Sequence, residues 1–290
     1  LMNEVKQRGG MVTVHATNGD MIDFLIAKNR AEGNLAPLYH YLSQPEITEA
    51  EASERFASIA GYTGCPGYIV HMTCEGALNA VRDNNRHNQK VFAETCIQYL
   101  LLDASLYEQN FDGAKWVMSP PLREKKDQEA LWAGINQGLV QVVATDHCPF
   151  KWEQKLMGKD DFSKIPNGHP AIEHRVELLF SEGVRKGRIT LNKFVEVLST
   201  NPAKIFGMFP RKGCIAPGAD ADIVLFDPNK EHTISVDTHH MNTDYSAYEG
   251  WKLTGKCKTV ILRGNVVIDE GECLAEKGYG KYIRRNKVSQ

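Results

Sequence analysis

The stretch QVVATDHCPF (residues 141–150) starts as a short apolar β-type run and stops on an acid, Asp146. Two earlier stretches share that plan: MVTVH (11–15) stops on His15, and GYIVH (67–71) stops on His71. Each run is followed by a segment able to form a helix. Repeated strand-to-helix units build a parallel sheet, and a (β/α) barrel places its active site at the C-terminal ends of such strands. Two imidazoles and a carboxylate are also a ligand set for a hydrolytic metal centre, where a bound metal lowers the pKa of water to about 7. One histidine at a strand end is usually an ordinary hydrogen-bonded residue. Three strand ends of the same kind favour the metal reading of His15, His71 and Asp146, with Asp146 also able to carry a proton.

Working outward, helical signals follow over 18–33, with Met21, Ile22, Leu25 and Ile26 at helical spacing, and over 47–60, 75–86 and 127–138. Thr48 and Glu51 have the spacing of a capping box and predict a helix start there. KVFAETC (90–96) supplies another strand, so the pattern is an α/β fold with parallel strands and helical crossovers. Pro149 to Pro170 is too long for a plain connector and predicts a functional loop. Helices over 171–187 and 192–199 lead to Asn201-Pro202, which reads as a fresh helix start with proline at its first position. Beyond about residue 212 the texture changes to short β runs, ADIVLFDP (221–228), KTVILRG (258–264) and NVVIDEGEC (265–273), with no helix. The expected division is therefore 1–211, α/β, and 212–290, a β-sandwich segment ending in a mobile basic tail over 281–290.

Composition narrows the function. A net charge of −2 gives no footprint for nucleic acid or a membrane surface, and no apolar run approaches the ~20 residues of a membrane span. Seven cysteines, an odd number with no CxxC pair, fit reduced thiols and a cytoplasmic setting. The chain opens on Leu1, and LMNEVKQRGG reads as the middle of a helix running into a Gly-Gly stop, so a piece of a longer protein is expected.

The segments VHATNGD, YIVHMTCEGALNAV, AETCIQYLLLD, MSPPLR, ATDHCPF and NGHPAIEHRVELLFSEGV resemble the dihydropyrimidinase/hydantoinase branch of the amidohydrolase superfamily. So do NPAKIFGMFPRKG, PGADADIVLFDP, DYSAYEGW and the terminal GYGKYIRR, in order along essentially the whole chain. The resemblance implies a (β/α)8 TIM barrel of which this chain holds strands five to eight, with a small C-terminal part of a β-sandwich. It implies a pair of zinc ions (Zn2+) bridged by a carboxylated lysine. His15 and His71 would then be the fifth- and sixth-strand ligands, and Asp146 the eighth-strand ligand and proton shuttle. KVFAETC would be the seventh strand, which carries no ligand. No HxH precedes His15, and Lys6 lies on a helix, a poor position for the bridging lysine. Half the family's ligand set is thus expected outside this chain, and the isolated polypeptide is expected to be inactive, with an open barrel edge exposing apolar surface.

The implied reaction is hydrolysis of a cyclic amide C–N bond in a dihydropyrimidine or hydantoin by a metal-bridging hydroxide. The implied partners are that small substrate and sister subunits of a homotetramer. Ser119 and Asn167 would contact the cyclic amide or imide, largely through backbone groups. Read without the resemblance, Ser119 is equally a turn residue at the Pro-Pro bend, and Asn167 before Gly168 is a plain turn. His147 is expected behind the ligands rather than among them, and Cys74 and Cys148 as inert thiols. Arg123 and Arg175 read as substrate contacts or, more commonly for such residues, structural ion pairs. Asp220 and Asp222 read as turn and strand-entry residues, and His239-His240 as a polar loop without a third ligand. Allantoinase and dihydroorotase are sister activities; no evident arginine clamp for a substrate carboxylate argues against the latter. A different class of relative, the collapsin response mediator proteins, keeps the fold as a scaffold without its metal ligands.

Overall fold

In the computed structural model, residues 1–85 and 90–287 are described; residue 86 of the expected 75–86 helix and residues 288–290 of the expected tail lie outside them. The expected strands form one parallel sheet in sequence order, β1 (Val12–Val14), β2 (Gly67–Ile69), β3 (Val91–Cys96) and β4 (Val142–Ala144). Val12 lies beside Gly67 and Gly67 beside Val91, while Glu94 lies beside Val142. The helices are α1 (Met2–Gln7), α2 (Gly19–Ala31), α3 (Leu38–Leu42), α4 (Glu46–Thr63), α5 (Glu75–Asn85), α6 (Ile97–Leu101), α7 (Lys125–Gln137), α8 (Trp152–Lys155), α9 (Arg175–Leu179), α10 (Leu191–Val195) and α11 (Asn201–Ile205). α4 turns Ala52, Phe56, Ala57 and Ala60 inward at helical spacing, and a Cβ at Gly67 would lie 2.7 Å from the Phe56 ring, so β2 and α4 touch only because residue 67 has no side chain. Leu78 and Val81 of α5 and Leu131, Trp132 and Ile135 of α7 complete the core. Helix α2 behaves differently: it forms on the Asn18 cap, yet none of its residues is buried.

Several local expectations fail for identifiable reasons. The Thr48–Glu51 capping box does not form, because the Pro45-Glu46 pair starts α4 earlier and leaves Thr48 inside the first turn. Its hydroxyl donates to the Pro45 carbonyl at 2.8 Å, and Glu51 instead accepts from the Asn18 side chain at 2.9 Å. The reciprocal arrangement appears at α7, where the Glu124 amide donates to Asp127 at 3.3 Å. The 149–170 loop is not structureless; α8 and short tight turns over 156–158 and 162–164 lie within it. Asn201-Pro202 is not a fresh start, since Thr200 keeps helical angles (φ −67, ψ −47) and a wide π-type turn over Glu196–Thr200 carries α10 into α11. A second wide turn, Phe180–Val184, extends α9, which begins at Arg175 rather than 171.

After residue 212 the described chain is β without helix, as expected, but the strands are longer. β5 (Ile223–Thr233), β6 (Lys252–Leu262), β7 (Asn265–Asp269) and β8 (Glu272–Cys273) form an antiparallel sheet in that order. The stretch 252–257 is charged and carries Gly255, so its texture is not that of a strand. Gly255 has φ +107, and a Cβ there would lie 2.4 Å from Phe180, which is how the sheet seats on the helices. Phe226 of β5 completes the contact, 4.6 Å from the Phe180 ring. The terminal tail is less free than expected: the Asn286 amide donates to the Gly207 carbonyl at 2.8 Å. Among the described residues, no helix is long and apolar enough to cross a membrane.

Candidate functional site

His15 directly follows β1, His71 lies two residues beyond β2, and Asp146 two beyond β4. The sheet ladder continues past the strands, with the Val70 amide donating to the Val14 carbonyl (3.2 Å) and Met72 to the Glu94 carbonyl (2.7 Å). All three residues therefore sit at one end of a continuous sheet. His71 (φ 40) and Asp146 (φ 48) both take left-handed backbone angles, uncommon outside glycine and costing on the order of 1–3 kcal/mol each. Two of the candidate residues thus share the same departure at the ends of two strands.

His15 Nδ1 lies 2.8 Å from His71 Nε2, with the rings edge-on and centroids 4.6 Å apart. His15 Nε2 is also 2.9 Å from the Thr17 hydroxyl. His71 is buried, and its Nδ1 has no hydrogen-bond partner. Burial, reinforced by His15, pushes the His71 ring down to about 4. Burial also lowers His15, against the opposing charges of Glu49 and Asp146. Asp146 is raised by burial and pulled back by His15. Both imidazoles are thus neutral near pH 7, the form that ligates a metal. Two neutral imidazoles, one with an unpartnered buried nitrogen, and a carboxylate on the same rim fit a hydrolytic divalent metal as part of a ligand set. They do not complete one: among the described residues, no group of three or more His, Cys, Asp or Glu is arranged to hold a metal ion.

Glu94, on the strand expected to carry no ligand, nevertheless bears on the site. Its carboxylate accepts the Tyr68 hydroxyl at 2.7 Å and the His71 amide at 3.4 Å, so it ties down the backbone that presents His71. The available signal was an acid in the middle of an otherwise apolar strand.

Ser119 and Asn167 belong to a second part of the rim. The backbone around Ser119 is braced residue by residue: Tyr107 donates to the Trp116 carbonyl (3.0 Å), His40 to Met118 (2.8 Å) and Tyr99 to Pro120 (2.8 Å). Gln44 donates to the Ser119 hydroxyl at 3.2 Å, and the Ser119–Pro120 peptide is cis. The Gly168 amide, next to Asn167, donates to the Val117 carbonyl at 3.0 Å. The Cys148 amide donates to the His169 carbonyl at 3.2 Å. The chain after Asp146, the Asn167 turn and the Ser119 segment therefore run side by side. A Cβ at Gly168 would lie 2.3 Å from the Cys148 carbonyl oxygen, so that approach needs glycine. Ser119 is half-buried, while Asn167 and Asp146 are exposed on the open side.

The remaining candidates have structural partners. Arg123 is buried, donating to Thr73 Oγ1 (2.9 Å) and Glu49 Oε2 (3.2 Å). Arg175 donates to the Val143 carbonyl at 3.0 Å. His147 Nδ1 accepts the amides of Ala171 (3.2 Å) and Ile172 (3.3 Å), which turns it behind the rim. Cys74 is buried and its thiol pushed well up by burial, whereas Cys148 is exposed. Asp220 pairs with Arg211 and Lys212, each at 2.9 Å, and Asp222 accepts the Arg263 amide at 2.8 Å. His239 bonds the Thr243 carbonyl at 3.0 Å and His240 pairs with Glu173 at 2.8 Å. Lys6 donates to the Thr63 carbonyl at 2.9 Å.

Comparison with known proteins gives the family of the chain. A model of the amidohydrolase family matches residues 1–267. The D-hydantoinase of Geobacillus stearothermophilus is 48% identical over 284 residues, which cover 97% of this chain and 60% of that protein. The D-hydantoinase of Ralstonia pickettii is 45% identical over 291 aligned positions, covering 100% of this chain and 64% of its own length. Among solved structures, the dihydropyrimidinase from Brevibacillus agri superposes with a TM-score of 0.98 at 46% identity, over 100% of this chain and 63% of that one. The chain thus spans about three fifths of the length of the relatives it matches.

Proposed function

The chain belongs to the amidohydrolase family, on its hydantoinase and dihydropyrimidinase branch, and on that premise we propose that the full-length protein hydrolyses cyclic amide bonds of hydantoins or dihydropyrimidines. The observation that carries this reading is the meeting of His15 and His71 at 2.8 Å on the same strand-end rim as Asp146. His15, His71 and Asp146 would hold part of a zinc pair. The other ligands, including a carboxylated lysine, would come from the part of the relatives' length that these residues do not span. When bound, such metals supply Lewis-acid polarisation of the scissile carbonyl and a water acidic enough to ionise near neutral pH.

The chain's own residues orient and shuttle. Ser119 and Asn167, through their backbone groups, would meet a ring that offers both N–H and C=O. Asp146 takes the proton of the attacking water and delivers it to the departing ring nitrogen. Glu94 and Thr17 keep the two imidazoles in place. We read the parallel sheet as barrel strands five to eight and residues 212–290 as a sandwich segment, supported by the start of the antiparallel sheet at Ile223. Activity would need the longer protein, acting as a cytoplasmic homotetramer.

The test is hydrolysis of dihydrouracil and 5-phenylhydantoin by the full-length protein, with its zinc content measured in parallel. Turnover of either ring with bound zinc supports the reading. A folded, metal-free protein inactive on both would instead assign it to the scaffold class, and turnover of allantoin alone to a sister activity.

A further inference from the structure

Lys155 closes α8 inside the 149–170 loop, and its side chain is fully buried. An ammonium without water needs a partner for every donor it carries. Lys155 Nζ has three, donating to the carbonyls of Val117 (2.9 Å), Pro166 (2.7 Å) and Gly168 (2.9 Å). The Phe150 ring lies 5.5 Å away. Those carbonyls are not scattered. Val117 stands two residues before Ser119, and Pro166 and Gly168 flank Asn167. Burial pushes the amine down to about 7. The carbonyls act the other way, because a free amine would turn its lone pair toward one of them and lose a donor.

We propose that Lys155 is a positioning residue for the cyclic substrate, its single ammonium fixing the spacing between the Ser119 segment and the Asn167 turn so that backbone groups of both meet one ring. This rests on reading Ser119 and Asn167 as substrate contacts. The lysine touches neither the substrate nor the metal ligands, so its effect falls on binding geometry. It also ties the loop to its neighbour: one cation joins the Val117 backbone, outside the loop, to Pro166 and Gly168 within it.

The test is Lys155→Met in the full-length, metal-loaded protein. KM for the cyclic amide should rise about tenfold or more, with kcat within about threefold and metal content unchanged. Hydrogen exchange over 116–122 and 156–170 should accelerate about tenfold, while α4 and α5 stay protected. An unchanged KM together with unchanged exchange overturns the proposal. If the parent enzyme has no cyclic-amide activity but exchange still responds, the substrate reading fails and the ordering role of Lys155 stands. If Lys155→Met does not fold, Lys155→Ala is measured with and without n-propylammonium, which replaces the missing chain and charge. Recovery of KM and protection by the amine, and not by n-propanol, supports the proposal; no recovery overturns it.

Discussion

The two sides of the rim are supported in opposite ways. Around Ser119, side chains from α3, α6 and the 104–108 turn each take a backbone carbonyl, and the buried Arg123–Glu49 pair lies beneath at 3.2 Å. Around His15 there is little of this. β1 is an edge strand of the sheet, α2 buries no residue, and among the described residues the His15 ring has hydrogen bonds to His71 and Thr17 only. The contrast teaches that one side carries its order in hydrogen bonds internal to this chain. The other side has fewer such bonds around His15, and on the proposed reading a bound metal would supply the rest of its order.

That comparison can be broken at graded cost. On the side of His15 and Asp146, Asp146→Asn should lower kcat of the full-length protein on the order of 10⁴-fold if, as proposed, one carboxylate both ligates and shuttles. Its melting temperature should barely move, since asparagine tolerates the left-handed φ of 48. A large loss of stability there would contradict the contrast. On the braced side, Arg123→Met should cost about 3–5 kcal/mol in denaturant unfolding, because it leaves the buried Glu49 carboxylate unpaired.

Acid should attack the braced side next. His40 holds the Met118 carbonyl as a neutral ring, and its folded value of about 4 lies below its ordinary 6.5. The unfolded chain therefore binds the extra proton between those values. The contribution is full above pH 6.5 and is lost as pH falls toward 4, on the order of 3 kcal/mol. His40→Gln should flatten the slope of melting temperature against pH in that window, leaving a residual slope from His71 and His169. An unaltered slope would remove His40 from the account. The smallest effect belongs to α2: Phe24 is 68% exposed, so Phe24→Ser in the isolated chain should change its unfolding free energy by no more than about 0.5 kcal/mol.

These differences explain what could be read in the sequence. The strand ends were legible because an apolar run that halts on histidine or aspartate is a local pattern, and so were α2, α5 and α7 from their periodicity. The Thr48–Glu51 motif misled because the proline three residues earlier starts the helix by a stronger constraint on φ. The 252–257 half of β6 was hidden because its glycine answers to Phe180, far away in the chain. Lys155 was illegible for the same reason: nothing near it in sequence shows that carbonyls from residues 117, 166 and 168 converge on one nitrogen. Glu94 left a trace, an acid in a buried strand, but its partner Tyr68 sits on another strand.

The contact at Gly168 limits how this part of the rim can vary. The Asn167 turn meets the chain after Asp146 at Gly168, where a Cβ would lie 2.3 Å from the Cys148 carbonyl oxygen and 2.6 Å from the Phe150 ring. Residue 168 is therefore closed to substitution by anything larger than glycine without moving the two segments apart. On the proposed reading, this seam would hold the ring at one depth, and preference for one ring substituent over another would lie in side chains elsewhere on the rim.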